Sequence, residues 1–330
     1  MRFGHFDDER KEYVITTPRT PLPWINYLGS EDFFSLVSNT AGGYSFYRDA
    51  RMRRLTRYRY NSSPLDMDGH HIYIKDGDTV WNPGWQPTKT PLDRYTCRHG
   101  LGYTVIEGEK NGVAAAQELF VPKGDACELD RLTLQNHTDA VKELDVFGYV
   151  EFCLWDAIDD SSNFQRNFST GEVEVEPGVI YHKTEYRERR DHYAVFWSDT
   201  PVTSFDTTRD AFCGVYGGPA DPEAVRAGHC SGSIAHGWAP VGALHIHVTL
   251  APGEEKKILF GLGYIENPQD EKFTAPGVIN KARAHAMISR YATSAQVDAA
   301  RKALADHWEA LLSTYHLESS EEKLDRMVNI

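Results

Sequence analysis

Two pairs of adjacent carboxylates are the first residues in this sequence that could do chemistry. They are Asp7-Asp8 and Asp159-Asp160, and cleavage of a glycosidic bond uses two carboxyl groups placed on opposite sides of that bond. Adjacent side chains on a strand point to opposite faces of a sheet, so neither pair forms an acid–base dyad by itself. We therefore interpret these acids as solvent-exposed turn residues.

Two histidines spaced one residue apart, His245 and His247, share one face of a predicted strand and could bind a metal ion. No third ligand is near them in the sequence, which favours ordinary strand histidines. The cysteines are odd in number, widely spaced and without a C-x-x-C motif, which favours reduced thiols over disulfides or a zinc site. They are Cys97, Cys127, Cys153, Cys213 and Cys230. The sequence therefore predicts no metal.

Several large aromatic side chains could offer flat faces to the C–H groups of a sugar ring. They are Trp24, Tyr44, Tyr47, Trp81, Trp85 and Trp155. Aromatic residues also fill sandwich cores, so we expect most of these rings to be buried. The sequence GLGY, at 100–103 and again at 261–264, lacks the strand-to-helix context of a dinucleotide-binding loop and indicates close backbone packing in a sheet. No cofactor follows from it.

Composition and charge exclude several classes of partner. With 330 residues, of which 41% are hydrophobic, the chain can bury one large core or two ordinary ones. Its formal net charge of −13 argues against nonspecific binding to nucleic acid or to anionic membranes. The first residues are too charged for a secretory signal, and no segment has the roughly 20 apolar residues of a membrane span. We predict a cytoplasmic protein that binds neither nucleic acid nor membrane.

Alternating apolar and polar residues predict strand after strand from the start of the chain to about residue 270. Three stretches contain two such runs about a corner, at residues 136–139, 177–178 and 252–253, and we predict an antiparallel hairpin at each. Many strands without helical segments between them predict two large packed antiparallel sheets. The expected fold class is a large antiparallel β-sandwich.

The hydrophobic period becomes helical from about Val278, with Thr293 or Ser294 as a plausible N-cap. One stripe contains Val297, Ala300, Leu304, Trp308, Leu311 and Tyr315. A second helix is predicted to start at Ser319, where Glu322 would complete a capping box. Its apolar face, with Leu324, Met327 and Val328, needs a covering partner, so we expect a further, helical domain after residue 330.

Four longer segments carry a family resemblance: TPLPWINYLG, FFSLVSNTAGGYSFYRDARMRRLTRYRYN, DGDTVWNPGWQPTKTPLDRYTCRHGLGYT and NFQRNF. Together they resemble the amino-terminal part of the cellobiose phosphorylases, which are inverting glycoside phosphorylases of glycoside hydrolase family 94. The resemblance extends over the whole chain. Chitobiose and cellodextrin phosphorylases are the neighbouring members, so they remain alternatives.

The resemblance implies a domain order. Family members have a galactose mutarotase-like β-supersandwich, a helical linker, an (α/α)6 barrel with the active site and a short carboxy-terminal sheet, and they form homodimers. Residues 1–275 match the sandwich, 276–317 the linker and 318–330 the start of the barrel. The general acid and the phosphate-binding groups are therefore expected beyond Ile330, and no catalytic residue is expected within this chain.

The chemistry implied by the resemblance is reversible phosphorolysis of cellobiose to α-glucose 1-phosphate and glucose, with inversion at the anomeric carbon. One carboxylic acid protonates the leaving oxygen while phosphate attacks from the opposite face, in place of the activated water of an inverting hydrolase. The expected partners are cellobiose or glucose, phosphate and glucose 1-phosphate. Because phosphate is itself the nucleophile, no metal or organic cofactor is implied.

The resemblance also gives a role to the loop of residues 155–169, WDAIDDSSNFQRNFS. In the family a sandwich loop crosses the dimer interface and completes the sugar-acceptor side of the neighbour's pocket; the matching residues are Phe164, Gln165, Arg166 and Asn167. Arginine and glutamine can each make two hydrogen bonds to adjacent hydroxyls, and a phenylalanine can anchor the loop. The alternative is a solvated crossover loop with an arginine there by chance.

A second segment, GGYSFYRDA, could bring Tyr47, Arg48 and Asp49 near the mouth of the barrel, although structural packing explains these residues equally well. Two other function classes stay open. The chain could be a noncatalytic sugar-binding or oligomerising sandwich, or, by analogy of fold alone, a mutarotase-like epimerase. The length of the whole protein would separate the first of these from a phosphorylase part.

Overall fold

The computed structural model describes residues 2–29, 31–59, 65–162, 170–186, 188–189, 191–237 and 239–329. Within these residues two large antiparallel sheets are stacked face to face, with short helices between some of their strands. A separate two-stranded sheet and further helices follow them in the sequence. This confirms the predicted fold class, a large antiparallel β-sandwich.

The strands lie as follows in chain order: β1 Gly4–Asp7, β2 Glu12–Ile15, β3 Ile25–Leu28, β4 Phe33–Ser38, β5 Gly43–Tyr47, β6 Arg54–Thr56, β7 His71–Asp76, β8 Thr79–Trp81, β9 Arg94–Gly100, β10 Tyr103–Lys110, β11 Val113–Phe120, β12 Cys127–Asn136, β13 Lys142–Trp155, β14 Thr170–Glu176, β15 Val179–Tyr186, β16 Glu188–Arg189, β17 His192–Ser198, β18 Ser204–Thr208, β19 His236–Gly237, β20 Pro240–Leu250, β21 Glu255–Glu266, β22 Phe273–Ala275 and β23 Val278–Ile279. The α-helices are α1 Ala157–Ser161, α2 Arg209–Cys213, α3 Glu223–Ala227, α4 Ala282–Ser289, α5 Ser294–Leu312 and α6 Glu322–Asn329, and a 3-10 turn spans Gln269–Glu271.

The wider sheet runs in the order β1-β2-β9-β10-β11-β12-β21-β17-β15-β14-β19, with β16 paired to β15. The narrower sheet runs in the order β18-β20-β13-β6-β5-β4-β3, and β7 and β8 extend it beside β13. Apolar residues of both inner faces form the main core between the sheets. A second core fills the space between the outer face of the wider sheet and helices α4 and α5.

One of the three predicted hairpins is confirmed and two are wrong. Strands β14 and β15 pair across the turn at 177–178 as predicted. Strands β12 and β13 lie in different sheets, as do β20 and β21, because β12 pairs with β21 and β13 pairs with β20. The two connections therefore cross the sandwich side by side, where Asn136 N donates to Glu254 O at 3.0 Å and Gly253 N donates to Asn136 O at 2.9 Å.

The helical part agrees with the first predicted cap and differs at the second. Thr293 and Gln296 form a capping box at the start of α5, and its apolar stripe is buried at Val297 and Leu304. Helix α6 begins only at Glu322, and Ser319 Oγ accepts a hydrogen bond from the backbone N–H of Glu321 at 3.1 Å. The capping box predicted between Ser319 and Glu322 is therefore wrong.

The repeated GLGY sequence serves close packing, as predicted. A side chain at Gly261 would bring its Cβ within 2.2 Å of the Trp197 ring, and one at Gly100 would come within 2.4 Å of the Tyr103 ring. Real Cβ atoms do not approach other atoms this closely, so only glycine fits where the rings cross the strands.

Two carboxylates on the inner face of β12, Glu128 and Asp130, are buried between the sheets at 2% and 8% exposure. Glu128 Oε1 lies 2.9 Å from His70 Nε2, and Asp130 Oδ2 accepts from Gln117 Nε2 at 2.8 Å. Burial raises the pKa of Asp130 to about 7. Burial would also raise the pKa of Glu128, but the neighbouring positive charge of His70 lowers it below its ordinary value.

The raised pKa of Asp130 predicts a stability that falls as pH rises. The unfolded carboxyl loses its proton near pH 4, whereas the folded one keeps it until about pH 7, so the unfolded state binds fewer protons within this window and the slope is negative. The upper bound of the effect is roughly 4 kcal/mol, about three pKa units. Urea unfolding at pH 5 and pH 8 should show Asp130→Asn gaining stability relative to wild type at the higher pH.

His70, His71 and Glu128 also face this carboxyl group, and they contribute to the wild-type pH profile as well. The free energy of unfolding of Asp130→Asn is therefore compared with that of wild type at each pH. The difference isolates the part of the pH dependence that comes from residue 130. An equal stability difference at pH 5 and pH 8 would contradict the prediction.

Candidate functional site

The segment that leads into residues 163–169 is held at one edge of the sandwich. Strand β13 ends beside β6, and the backbone N–H of Ala157 donates to the carbonyl of Arg51 at 2.8 Å. The β5–β6 turn and helix α1 therefore lie against each other. We call residues 47–54 together with residues 155–162 the loop edge.

Tyr47, Arg48 and Asp49 all lie at the loop edge, beside the base of the predicted sugar-contacting loop. Tyr47 is half-buried, and Arg48 is exposed with its Nε and Nη2 atoms each donating to Asp32 at 2.8 Å. Asp49 Oδ1 accepts two hydrogen bonds, both 2.8 Å long, from backbone N–H groups of the turn that follows it. These contacts shape the β5–β6 turn, and a role of the three residues in sugar binding stays a prediction.

Helix α1 is short and is held by two aspartates. Asp156 Oδ1 caps its N-terminus by accepting from the backbone N–H groups of Ile158 at 2.8 Å and Asp159 at 3.1 Å. Asp160 points inward at 5% exposure, and each of its carboxylate oxygens accepts from the Arg57 guanidinium at 2.6 Å. Our interpretation of Asp160 as a solvent-exposed turn acid is therefore wrong, because Arg57 provides a buried positive charge for it.

Glu151 joins this ion pair to a second arginine. Its Oε1 accepts from Arg209 Nε at 2.9 Å and from the Tyr149 hydroxyl at 3.0 Å, while its Oε2 lies 3.6 Å from Arg57. Burial would raise the pKa of Glu151, but the positive charges of Arg57 and Arg209 lower it below its ordinary value. The base of the loop is therefore fixed by buried charges of both signs that balance each other locally.

A row of aromatic rings marks the end of β13. Trp155 is fully buried and has a φ of +72°, which is uncommon for a large side chain. Its ring meets His192 edge-on, with 4.4 Å between ring centroids, and lies 5.8 Å from the Tyr264 ring. Tyr264 in turn stacks on Tyr47 at 4.0 Å. These contacts fix the place where the strand stops and the chain turns into α1.

The four residues with the strongest predicted role fall outside the described residues: Phe164, Gln165, Arg166 and Asn167. The structure describes the chain on both sides of them, from Asp156 to Ser162 and again from Thr170. Of the six aromatic residues considered for sugar stacking, Tyr44, Trp81 and Trp155 are buried core residues. The other three, Trp24, Tyr47 and Trp85, are half-buried, so burial holds for half of the set rather than for most of it.

His245 and His247 share one carboxylate that the sequence did not reveal. Asp145 Oδ1 lies 3.0 Å from His245 Nε2 and 3.0 Å from His247 Nδ1, and Glu143 Oε2 lies 3.0 Å from His247 Nε2. Across the described parts of the chain, no group of three or more histidine, cysteine, aspartate or glutamate residues is placed to hold a metal ion. The two histidines instead form hydrogen bonds across strands β13 and β20.

Sequence reasoning missed Arg57, Glu151 and Asp160, which hold the base of the loop. A usable signal was present, because six arginines occur within residues 48–59 of a chain whose net charge is −13. Such a local excess of positive charge predicts acidic side chains nearby, an anionic ligand or the surface of a partner protein. The partners could not be identified from the sequence because Asp160 follows Arg57 by 103 residues.

Comparison with known proteins decides the family. Residues 11–294 match the family described as "Glycosyl hydrolase 94, supersandwich domain". The chain belongs to glycoside hydrolase family 94. This confirms the resemblance to the amino-terminal part of the phosphorylases of that family.

Curated relatives within the family 94 phosphorylases act on different sugars. The chain is 35% identical over 336 residues to N,N'-diacetylchitobiose phosphorylase from Vibrio proteolyticus, covering 100% of this chain and 40% of that protein. It is 34% identical over 258 residues to solabiose phosphorylase from Paenibacillus borealis, covering 77% and 33%. It is 30% identical to 3-O-beta-D-glucopyranosyl-beta-D-glucuronide phosphorylase from the same organism, covering 99% and 40%. The family 94 chain therefore spans less than half the length of these relatives.

A solved structure of bacterial glucoamylase complexed with acarbose aligns with a TM-score of 0.52 at 7% identity, covering 92% of this chain and 41% of that one. At that identity the alignment supports the sandwich fold alone. Among the described residues, no helix combines the length and apolar character that crossing a bilayer requires.

Proposed function

We propose that this family 94 chain is the sandwich and linker part of an inverting disaccharide phosphorylase. The observation that carries the proposal is the match to the supersandwich domain over residues 11–294, together with three phosphorylases among its curated relatives. Cellobiose is the substrate expected from the sequence resemblance, and N,N'-diacetylchitobiose has equal support from the 35% identical relative.

The proposed reaction needs one protein carboxylic acid to protonate the leaving oxygen while phosphate attacks the anomeric carbon from the opposite face. We place that acid and the phosphate-binding groups in the remainder of the whole protein, since this chain covers only 40% of the length of the N,N'-diacetylchitobiose phosphorylase from Vibrio proteolyticus. Inorganic phosphate is a substrate and no metal or organic cofactor is required. The cytoplasmic location also stays a prediction.

Within this reaction the loop edge would serve the neighbouring subunit of a homodimer. Residues 164–167 would contact the acceptor sugar there, and the buried pair of Arg57 and Asp160 would hold the base of their loop. Support comes from the surface beside that base, where Met52 is 46% and Ile158 is 54% exposed. Methionine and arginine are among the residue types enriched at protein–protein interfaces, and Arg51 there is 59% exposed.

The proposal is tested by giving the whole protein phosphate and a panel of β-linked disaccharides that includes cellobiose and N,N'-diacetylchitobiose. We expect a phosphate-dependent release of the α-configured sugar 1-phosphate. The signal of its anomeric proton in the NMR spectrum identifies that configuration directly. The preferred disaccharide decides between the two substrates. Hydrolysis without phosphate, or no turnover of any disaccharide, would favour a noncatalytic sandwich or another enzyme class.

The 330-residue chain alone is expected to show no phosphorolysis, because the general acid and phosphate site that carry the chemical step are placed outside it. The measurement is sugar 1-phosphate release by the purified chain compared with a mock purification. Release above the mock level from either disaccharide would show that the chemical step can be performed within residues 1–330.

A further inference from the structure

We propose that a second copy of this chain covers the outer face of strands β3, β4 and β5, and that it does so with the turn that carries Val215 and Tyr216. The outer face is the one that points away from the wider sheet. The inference rests on the homodimer of the proposed function and identifies surfaces through which its two sandwiches would meet.

The side chains on the outer face of β3, β4 and β5 are apolar with one exception. Phe33 and Val37 of β4 point into the main core between the sheets, so the residues that alternate with them point outward. Ser38 is the one polar residue at these outward positions, and it is buried. An antiparallel sheet that faces water carries mostly polar residues on that side, so an apolar outer face is typical of a surface that is covered. The apolar outward residues are Ile25, Tyr27, Phe34, Leu36, Tyr44 and Phe46.

Several of these apolar side chains are still accessible. Tyr27 is 64% and Ile25 is 47% exposed, both on β3 at the edge of the narrower sheet. Phe34 and Phe46 are half-buried and stack on each other with 5.3 Å between ring centroids. The surface around these two rings therefore has room for a contact.

Helices α2 and α3 cover a different part of the same outer face. Phe212 of α2 stacks on Tyr149 of β13 at 4.5 Å, within a core that includes Val225 of α3. The narrower sheet is thus covered by helices at β13 and exposes Tyr27 at its β3 edge. Two copies related by a two-fold axis complement each other in this respect, because the α2–α3 segment of each copy can lie over β3–β5 of the other.

The turn between α2 and α3 has the form that such a contact requires. Val215 is 71% exposed and Tyr216 is fully exposed, at the tip of a turn in which the backbone N–H of Gly217 donates at 3.2 Å to the carbonyl three residues before it. The Tyr73 hydroxyl donates to the carbonyl of Pro219 at 2.8 Å, which anchors the far end of the turn to the sheet. A fixed turn loses little conformational entropy on binding, and tyrosine is enriched among the residues that dominate interface energies.

Charge favours the same pairing. Residues 48–59, which follow directly on β5, carry six arginines and one aspartate, a charge of +5, so the rest of the chain carries −18. Arg48 and Arg51 are 62% and 59% exposed at that margin of the outer face. Residues 210–223, which include the turn, carry three acidic residues and no basic one. The arginines beside the outer face therefore meet an acidic segment when the partner's turn lies over it.

Tyr216→Ser in the whole protein tests the contact, because a fully exposed side chain can be removed without loss of packing within its own subunit. We expect the dissociation constant of the dimer, measured by analytical ultracentrifugation, to rise at least about 10-fold, and Tyr27→Ser to have a similar effect. Val141→Ser is the matched control. It removes a 56% exposed apolar side chain from the connection between β12 and β13, outside both surfaces, and should leave the dissociation constant unchanged.

A wild-type dissociation constant in Tyr216→Ser would overturn the inference and leave the dimer of the proposed function intact. A loss with Tyr27→Ser alone would also overturn it, because something other than the partner's turn would then cover β3. A monomeric wild-type protein would contradict both this contact and the dimer, whereas the phosphate-dependent turnover of disaccharides tests the proposed reaction independently.

Cross-linking identifies directly which surfaces meet. Tyr27→Cys and Tyr216→Cys subunits that carry different tags are mixed and treated with a short bis-maleimide; the native cysteines are buried, which protects them from the reagent. We expect a covalent pair between the two variants and none when either variant is treated alone. A mixture without such a pair, or a Tyr216→Cys subunit that links to its own kind, would contradict the proposed pairing.

Discussion

Replacing Arg57 by methionine is expected to lower the free energy of unfolding by about 3–5 kcal/mol, because Arg57 is the buried partner of Asp160 at the base of the loop. The variant leaves the carboxylates of Asp160 and Glu151 buried, at 5% exposure each, without the charge that Arg57 supplies. Urea unfolding at neutral pH measures the change. Arg57→Lys should recover only part of it, because an ammonium group cannot make the two parallel bonds of the guanidinium.

Arg51, on the turn between β5 and β6, offers a matched control. Its side chain is 59% exposed and lies 3.6 Å from Asp156, so Arg51→Ala should cost less than about 1 kcal/mol. The double variant Arg57→Met/Asp160→Leu should be less destabilised than Arg57→Met, since it removes the uncompensated charge of Asp160 as well. Equal stabilities of Arg57→Met and Arg51→Ala would show that the buried network contributes little.

In the proposed dimeric phosphorylase, Arg166→Ala is expected to lower the kinetic efficiency with the acceptor sugar by roughly 10-fold to 150-fold. The estimate follows from losing one charged hydrogen bond to a partly buried ligand, worth about 1.5–3 kcal/mol. The loss should appear in the kinetic constants for the acceptor in the synthetic direction. The affinity for the sugar 1-phosphate and the melting temperature should stay close to wild type.

The control for this variant is Arg226→Ala, which removes an arginine that is 54% exposed on helix α3 and paired with Asp221. It should leave acceptor kinetics unchanged. Wild-type acceptor kinetics in Arg166→Ala as well would return residues 163–169 to the alternative interpretation, a solvated crossover loop. A loss in both variants would point to a general effect of removing surface charge.

The sequence predicted those features that depend on local pattern. Strand alternation gave the sandwich, and Thr293 with Gln296 marked the start of α5, because capping and periodicity involve residues close together in the chain. The confirmed turn at 177–178 is also local. The alternation of apolar and polar residues did not distinguish a hairpin from a crossover between sheets at 136–139 and 252–253. A strand shows the same alternation whether the next strand joins the same sheet or the opposite one.

The candidate site was less predictable because its contacts are distant in sequence. Arg57 and Asp160 are 103 residues apart, and an aspartate beside serines in a polar loop is indistinguishable from a solvated one until its partner is known. Tyr47 meets Tyr264 only because β5 and β21 end at the same edge of the stacked sheets. The family resemblance supplied what periodicity could not, namely which loop to examine.

We propose that the loop of residues 155–169 completes the acceptor site of the neighbouring subunit, and a heterodimer provides the most direct test. One subunit carries Arg166→Ala with an intact barrel, and the other has an intact loop but lacks the barrel's general acid. If the loop acts across the interface, the intact barrel receives an intact loop, and the heterodimer keeps one site with wild-type acceptor kinetics. Activity no higher than that of the Arg166→Ala homodimer would contradict the claim, because each loop would then serve its own subunit or none.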